Sequence, residues 1–261
     1  MNIDITTTAT LRPSIVERTL WSFWRLCFKE HNARLILNVD PVGDERYTQK
    51  DIVAIARKYF PKMVVRTPST ASYLSAVKWA WENVETDVFF FLEDDYYLFC
   101  PIDLDAMYKA FLKDERLAVL RLPKGNTTEN ECYWARANHG FVAIWNGLYY
   151  AGPHLQFSGM PSMIRTTWMR PFLDRLTFER SLEIQFRRLN DGRASRDSIM
   201  YGWKYGAFAE PNTPITVQDI GTGWRRRLRI GKNGGPREEK IGFTGWIRCG
   251  KPYNQRLRTS S

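Results

Sequence analysis

Val88, Phe89, Phe90, Phe91 and Leu92 form an uninterrupted apolar run, and the next three residues are Glu93, Asp94 and Asp95. A strand that is apolar on both faces needs cover on both, as a central parallel strand between two layers of helices has. The preceding segments fit that setting. Asn2 to Thr7 is rich in β-branched residues and predicts a first strand. Ser14, with Glu17 three residues on, has capping-box spacing and predicts a helix to about Phe28, with Val16, Leu20, Phe23 and Cys27 on one face. Arg34 to Val39 predicts a second strand; Thr48 caps a helix carrying Ile52, Ile55, Ala56 and Tyr59 that Pro61 stops. Met63 to Arg66 predicts a third strand, and Leu74, Val77, Trp81 and Val84 mark one side of a third helix.

This alternation predicts an α/β fold: a mostly parallel central sheet of doubly wound type with helices on both faces. Ligands of such sheets bind beyond the carboxyl ends of the strands, here Thr6–Arg12, Asp40–Asp44, Arg66–Ser72 and Glu93–Tyr97. Asp103 opens a further helix, and Leu117 to Leu122 predicts a fifth strand. After Pro123 the pattern loosens. The expectation is a polar loop to Asn138, a strand from Phe141 to Trp145, flexible aromatic material in FSGMPSMIRTTWMRP, and an amphipathic helix from Thr177 to Leu189. Trp145, Tyr149 and Trp168 are read first as core residues, with contact to a ligand the alternative.

The length of 261 residues allows a core without disulfide or metal staples, and 44% hydrophobic with 25% charged residues excludes a disordered or low-complexity chain. Cys27, Cys100, Cys132 and Cys249 stand far apart and read as buried or incidental thiols. No apolar run approaches the roughly 20 residues of a spanning helix, and MNIDITTTATLRP has no secretory pattern, so the expected location is the cytoplasm. The net charge of +10 is unevenly placed. From Trp224 to Ser261, eleven Lys/Arg face two Glu, a balance of +9, and the rest of the chain carries +1. That asymmetry points to a polyanionic partner: a diphosphate, a nucleic acid or a membrane surface.

Three consecutive carboxylates repel one another unless a cation or a dense set of hydrogen bonds is present. In an extended segment Glu93 and Asp95 share one side and Asp94 takes the other, and such a pair of hard oxygen donors suits Mg²⁺ or Mn²⁺. A solvated acidic turn is the alternative. The second notable segment, VQDIGTGWRRRLRIGKNGG, joins glycines to clustered arginines, which suits phosphate oxygens, a nucleic-acid surface or a solvated tail.

A strand ending in EDD within a βαβ series resembles the GT-A type glycosyltransferases of family-2-like character, whose [D/E]xD motif closes the fourth strand. ITTTATLRP resembles their first-strand nucleotide loop. The resemblance implies a nucleotide-sugar donor, most simply a UDP-sugar, and Mn²⁺ or Mg²⁺ as cofactor. It places Asp95 as metal ligand with Glu93, and Glu93 or Asp94 near the ribose or sugar. Thr6, Thr8 and Arg12 fall on the first-strand loop, and Asp40 near the base. Residues 1–100 would then form the nucleotide-sugar half, 101–223 the acceptor half and 224–261 a basic closing segment, with Arg225, Arg226 and Arg227 as leaving-group cations. Inverting relatives carry a general base on a helix matching LTFERSLEIQFRRLNDG. Glu179 is preferred and Glu183 next, although Arg180 stands where an Asp is common, and helix-surface pairing is the alternative. The chain lacks the QxxRW motif of processive membrane synthases. The acceptor is a glycan or a hydroxymethylated DNA base of the phage type; a non-catalytic nucleic-acid binder on the same scaffold is the competing reading. A nucleotidyltransferase would carry a Gly-rich basic first loop, which ITTTATLRP does not have.

Overall fold

Strand alternation divides the core of this protein into two layers, and a computed structural model shows both. It describes residues 1–122, 144–145, 150–152, 159–177, 182, 185, 203–208, 216–222, 224, 230–232, 238–240 and 246–249. In the strands β1 (Asn2–Leu11), β2 (Asn32–Gly43) and β4 (Val88–Phe91), side chains point alternately to opposite faces. Ile5, Leu35, Leu37 and Phe90 pack with the helices α1 (Pro13–Phe23) and α2 (Gln49–Arg57). Ile36, Phe89 and Phe91 pack on the other face with α3 (Tyr73–Glu82) and α5 (Thr166–Leu173). Phe28 meets Phe90 edge-on at 5.2 Å, and Trp81 meets Phe91 at 5.9 Å across the other face.

With β3 (Met63–Arg66) at one edge, the sheet order is β3-β2-β1-β4-β9-β6-β10-β8-β7, where β6 is Leu117–Arg121, β7 Ile144–Trp145, β8 Tyr150–Gly152, β9 Ser162–Arg165 and β10 Lys204–Ala207. The first four strands pair in parallel. β9 and β8 pair antiparallel to their neighbours, so the other seven strands of this nine-stranded sheet run one way. The order 3-2-1-4 reverses between β1 and β4, which opens a crevice at their carboxyl ends.

Several elements differ from their expected form. Helix α1 is capped by Arg12, with Pro13 at its first position and no side-chain cap, so the Ser14/Glu17 box is not used; a π-helical turn over Trp24–Phe28 completes the expected length. Thr48 and Asp51 do form the capping box of α2. The expected flexible stretch around residue 163 is instead the buried strand β9 followed by α5, and Trp168 belongs to the core, its indole N–H donating to Tyr205 Oη at 3.1 Å. β5 (Tyr96–Leu98) pairs antiparallel with β11 (Val217–Asp219) in a separate ribbon. In the basic segment, β12 (Ile230–Lys232), β13 (Glu238–Lys240) and β14 (Trp246–Cys249) form a three-stranded antiparallel sheet where little periodicity was visible. α4 (Leu104–Lys113) starts at its Asp103 cap as expected. The expected loop of residues 123–138 and Tyr149 lie outside the described residues; only Ile144 and Trp145 of the Phe141–Trp145 strand, and Leu182 and Gln185 of the Thr177–Leu189 helix beyond its start, lie within them.

Candidate active site

The crevice at the sheet's reversal point is lined by Thr8, Ala9, Thr10 and Arg12 from the end of β1, Asp40 from β2, Tyr73 at the start of α3, and Glu93, Asp94 and Asp95 after β4. Three of the four predicted strand-end segments thus converge directly, and the fourth contributes Ser72 behind Asp40. Every one of the four carboxylates is buried, with 2–7% of its residue surface exposed, and so is Arg12 at 1%.

The chain leaves β4 at Phe91, and Asp94 and Asp95 lie in a turn, so strand alternation does not govern them. Arg12 bridges both: Nη2 donates to Asp94 Oδ1 in a short contact, and Nη1 to Asp95 Oδ2 at 3.3 Å. Asp94 also accepts from the Thr10 backbone N–H at 3.0 Å, and its carbonyl accepts from Thr19 Oγ1 at 2.9 Å. Asp94 therefore joins the β1 loop and α1 to the end of β4. Burial works against the Arg12 charge, but the attraction of Asp94 and Asp95 outweighs it and holds the guanidinium above its ordinary value. Burial pushes the Asp94 carboxyl up against the opposing pull of Arg12, and the neighbouring Asp95 charge adds to the rise.

Glu93 turns toward α3, where Tyr73 Oη donates to its Oε1 at 2.8 Å. At the end of β2, Asp40 accepts from Asn38 Nδ2 at 2.8 Å and from the Ser72 backbone N–H at 3.1 Å. Burial nevertheless raises its carboxyl to about 6. Two buried polar atoms at this end, Thr10 Oγ1 and Asn38 Oδ1, have no hydrogen-bond partner among the described residues, as expected where a polar ligand completes the set.

The distant segment after β11 closes one side. The Ile220 N–H donates to the Asp95 carbonyl at 2.8 Å, and Asp219 holds the following turn through the N–H groups of Gly221 and Thr222, both at 2.9 Å. Gly221 lies so close that a Cβ there would come within 2.3 Å of Asp95 Oδ2 and 2.7 Å of Arg12 Nη1. Trp224 stacks over the Arg12 guanidinium, 5.2 Å from Cζ to the ring centroid.

Of the predicted site residues, Thr8, Arg12, Asp40, Glu93, Asp94 and Asp95 share this crevice. Thr6 does not line it; it lies within β1 opposite Ile36 and Phe91. Glu179, Glu183, Arg225, Arg226 and Arg227 lie outside the described residues. Thr10 and Tyr73 are contacts that the sequence does not point to, and Trp224, which suits stacking on bases in the nucleic-acid reading, stacks here on Arg12. The place of Tyr73 beside the Ser72 cap, at the helix start after the third strand, is the one signal that could have found it. Chemically the crevice is a set of hard oxygen donors: among its lining residues four carboxylates face the single cation Arg12, a formal excess of three negative charges. Among the described residues no three metal-ligating side chains gather at one point, so the donor set fits a Mg²⁺ or Mn²⁺ ion that takes one or two carboxylates and completes its shell with other oxygens.

No protein-family model and no curated protein sequence matches the chain. Among solved structures it is similar to TarS 1–349 of S. aureus, at 12% identity and TM-score 0.51 over 86% of this chain and 62% of that one. The same TarS fragment in complex with UDP-GlcNAc matches over 82% of this chain and 57% of that one, again at 12% identity and TM-score 0.51. The mannosyltransferase PcManGT from Pyrobaculum calidifontis, in complex with GDP-Man and Mn²⁺, is 13% identical with TM-score 0.55, over 85% of this chain and 59% of that one. The chain thus spans about three fifths of the length of these structures. At such identities the likeness carries the fold alone, and together with the sheet order it gives this chain the GT-A, Rossmann-like α/β fold.

Proposed function

We propose that the chain is a metal-dependent glycosyltransferase that moves a sugar from a nucleotide sugar, a UDP-sugar, to an acceptor hydroxyl with inversion. The observation that carries this reading is the group of four buried carboxylates around Arg12 at the reversal point of the sheet. A metal there would be held by Asp95 and Glu93, and when bound it would supply Lewis-acid stabilisation of the departing diphosphate. Among the described residues no group of three metal-ligating side chains gathers, which suits an ion shared with its diphosphate substrate.

The protein's own residues have distinct tasks. Asp40 receives hydroxyl or amide donors of the nucleoside, with the amide of Asn38 behind it. Arg12 and Asp94 hold the turn that presents Asp95, and Tyr73 orients Glu93. Arg225, Arg226 and Arg227, which follow Trp224 in the chain, supply cations to the leaving group. The acceptor oxygen attacks the anomeric carbon, forming the new glycosidic bond as the bond to the diphosphate oxygen breaks. The electron pair leaves with the nucleoside diphosphate, and the acceptor proton passes to the carboxylate of Glu179, or of Glu183 in its stead.

Turnover of a panel of UDP- and GDP-sugars with Mn²⁺ tests this reading. At least one donor should be hydrolysed slowly without acceptor. Glu179→Gln should lower kcat of transfer by about 10²–10⁴, the range of a lost general base. If no donor is bound or turned over, the reading fails.

A further inference from the structure

Helix α1 buries Val16, Leu20 and Phe23; Arg18 and Trp21 lie on its outer side, and Arg25 follows in the π-helical turn that continues it. Beside it lies the β5–β11 ribbon. Tyr96 and Leu98 turn inward and are buried, so Tyr97 and Phe99 face outward, and Phe99 keeps 52% of its surface exposed. The two surfaces interlock. The Arg18 guanidinium sits 5.5 Å from the Tyr97 ring centroid, and that of Arg25 sits 5.3 Å from Trp21. Tyr97 in turn meets Trp21 at 6.4 Å and the edge of Phe99 at 5.1 Å. Backbone N–H groups pin this segment along α1 and the π-helical turn after it: Leu98 donates to Ser22 Oγ at 3.1 Å and Ile102 to the Leu26 carbonyl at 3.0 Å.

Arg18 and Arg25 are exposed, and among the described residues neither has a carboxylate partner. The nearby acids are otherwise engaged: Glu17 pairs with Lys58 at 2.7 Å, and Glu30 with Lys29 at 3.6 Å. Stacking on a ring fixes the plane of a guanidinium while leaving its N–H edges able to grip an oxyanion. The ladder also begins at the crevice. Tyr97 stands two residues after Asp95, and the stacked pair of Arg12 and Trp224 repeats the same chemistry at that end.

We propose that this ladder is the docking track of the acceptor, and that the acceptor is an anionic glycan. Its carboxylates meet the guanidinium forks of Arg18 and Arg25, and its sugar faces lie against Phe99. The proposal rests on the glycosyltransferase reading above. A glycan suits the track better than single-stranded nucleic acid, whose bases need open ring faces for stacking, because guanidiniums cap Trp21 and Tyr97. A membrane surface would call for a broad apolar face, and Phe99 is the one large exposed apolar side chain on the ladder.

Affinity of the full chain, measured without donor, tests the track against an oligogalacturonate, a glycerol-phosphate oligomer, a neutral maltooligosaccharide, oligo(dT) and phosphatidylglycerol vesicles. The oligogalacturonate should bind tighter than the neutral oligomer by roughly tenfold or more, less so as salt is raised. Arg18→Gln with Arg25→Gln should weaken that binding by roughly tenfold for each guanidinium. Arg18→Lys with Arg25→Lys, which keeps the charge but loses the planar fork, should fall between. Equal binding of the oligogalacturonate and the neutral oligomer, tighter binding of the glycerol-phosphate oligomer, oligo(dT) or vesicles, or unchanged binding by the Gln or Lys variants would overturn the proposal. Donor hydrolysis by the unaltered chain separates the two claims. Hydrolysis without anionic binding removes the track alone, and selective, arginine-dependent binding without hydrolysis supports the surface while removing the enzymatic reading.

Discussion

Replacing Arg12 with Met removes the only cation among the crevice-lining residues while keeping the apolar stem, and its consequence follows from the burial of both partners. Arg12, Asp94 and Asp95 are each no more than 3% exposed, so the two carboxylates left behind gain little water. Breaking a buried ion pair by deleting one member typically costs about 3–5 kcal/mol, most of it from the uncompensated charge. Loss of the stack against Trp224 adds about 0.5–2 kcal/mol. For a domain of this size each kcal/mol lowers Tm by about 2–4 °C, so the ion-pair loss alone predicts a fall of about 6–20 °C. The assay is thermal unfolding followed by near-ultraviolet circular dichroism, with Asp94→Asn alone and in combination completing a cycle. Because Asp94 would no longer be charged in the double variant, it should recover part of the loss, with a coupling of about 0.5–3 kcal/mol. An Arg12→Met protein melting within 2 °C or so of the parent, or a cycle without coupling, would refute the claim that this pair holds the site together.

Other outcomes follow from the same geometry. The Asp40 carboxyl, raised by burial from 3.8 to about 6, favours the folded state in its protonated form, so stability is highest below pH 3.8 as far as this group is concerned and is lost as pH rises to 6. At 1.36 kcal/mol per pH unit the loss amounts to about 3 kcal/mol at neutral pH. Asp40→Asn, with the Asn38 amide turned to accept from it, should therefore raise Tm at pH 7 but not near pH 4, while weakening nucleotide binding. Gly221→Ala drives a Cβ into Asp95 and Arg12 and should cost about 1–3 kcal/mol, with donor turnover reduced beyond what the melting curve explains. Tyr73→Phe removes the hydroxyl that orients Glu93 and should reduce metal affinity by roughly 10–100-fold, read by Mn²⁺ titration of turnover, with Tm little changed.

The parts of the fold that were legible in the sequence are those whose signal is local. Val88 to Leu92 declared a strand covered on both faces, and Thr48 declared a helix start, to which the structure adds its box with Asp51. Strand β9 was not legible: four residues between Pro161 and a helix carry too little periodicity, and their place between β4 and β6 depends on pairing across more than forty residues of chain. β5 escaped for the same reason, since its partner β11 lies far along the chain. At the site, the residue types were legible but their directions were not. EDD read as an extended segment placed Asp94 opposite Asp95, whereas the turn after β4 lets one guanidinium hold both. Arg12 reads in the sequence as a loop residue for the ligand; its burial depends on Gly221 and Trp224, which fold over it from the other end of the chain.

The central claim is that the carboxylate crevice binds a nucleoside diphosphate through a metal held by Asp95. Calorimetric titration of UDP into the full chain, with and without Mn²⁺, measures this without any acceptor or knowledge of the sugar. The account predicts binding that requires the ion and is lost in Asp95→Asn while the variant still melts cooperatively. Binding that is equally tight without the ion, binding unchanged in Asp95→Asn, or no binding of UDP or GDP at all would contradict it.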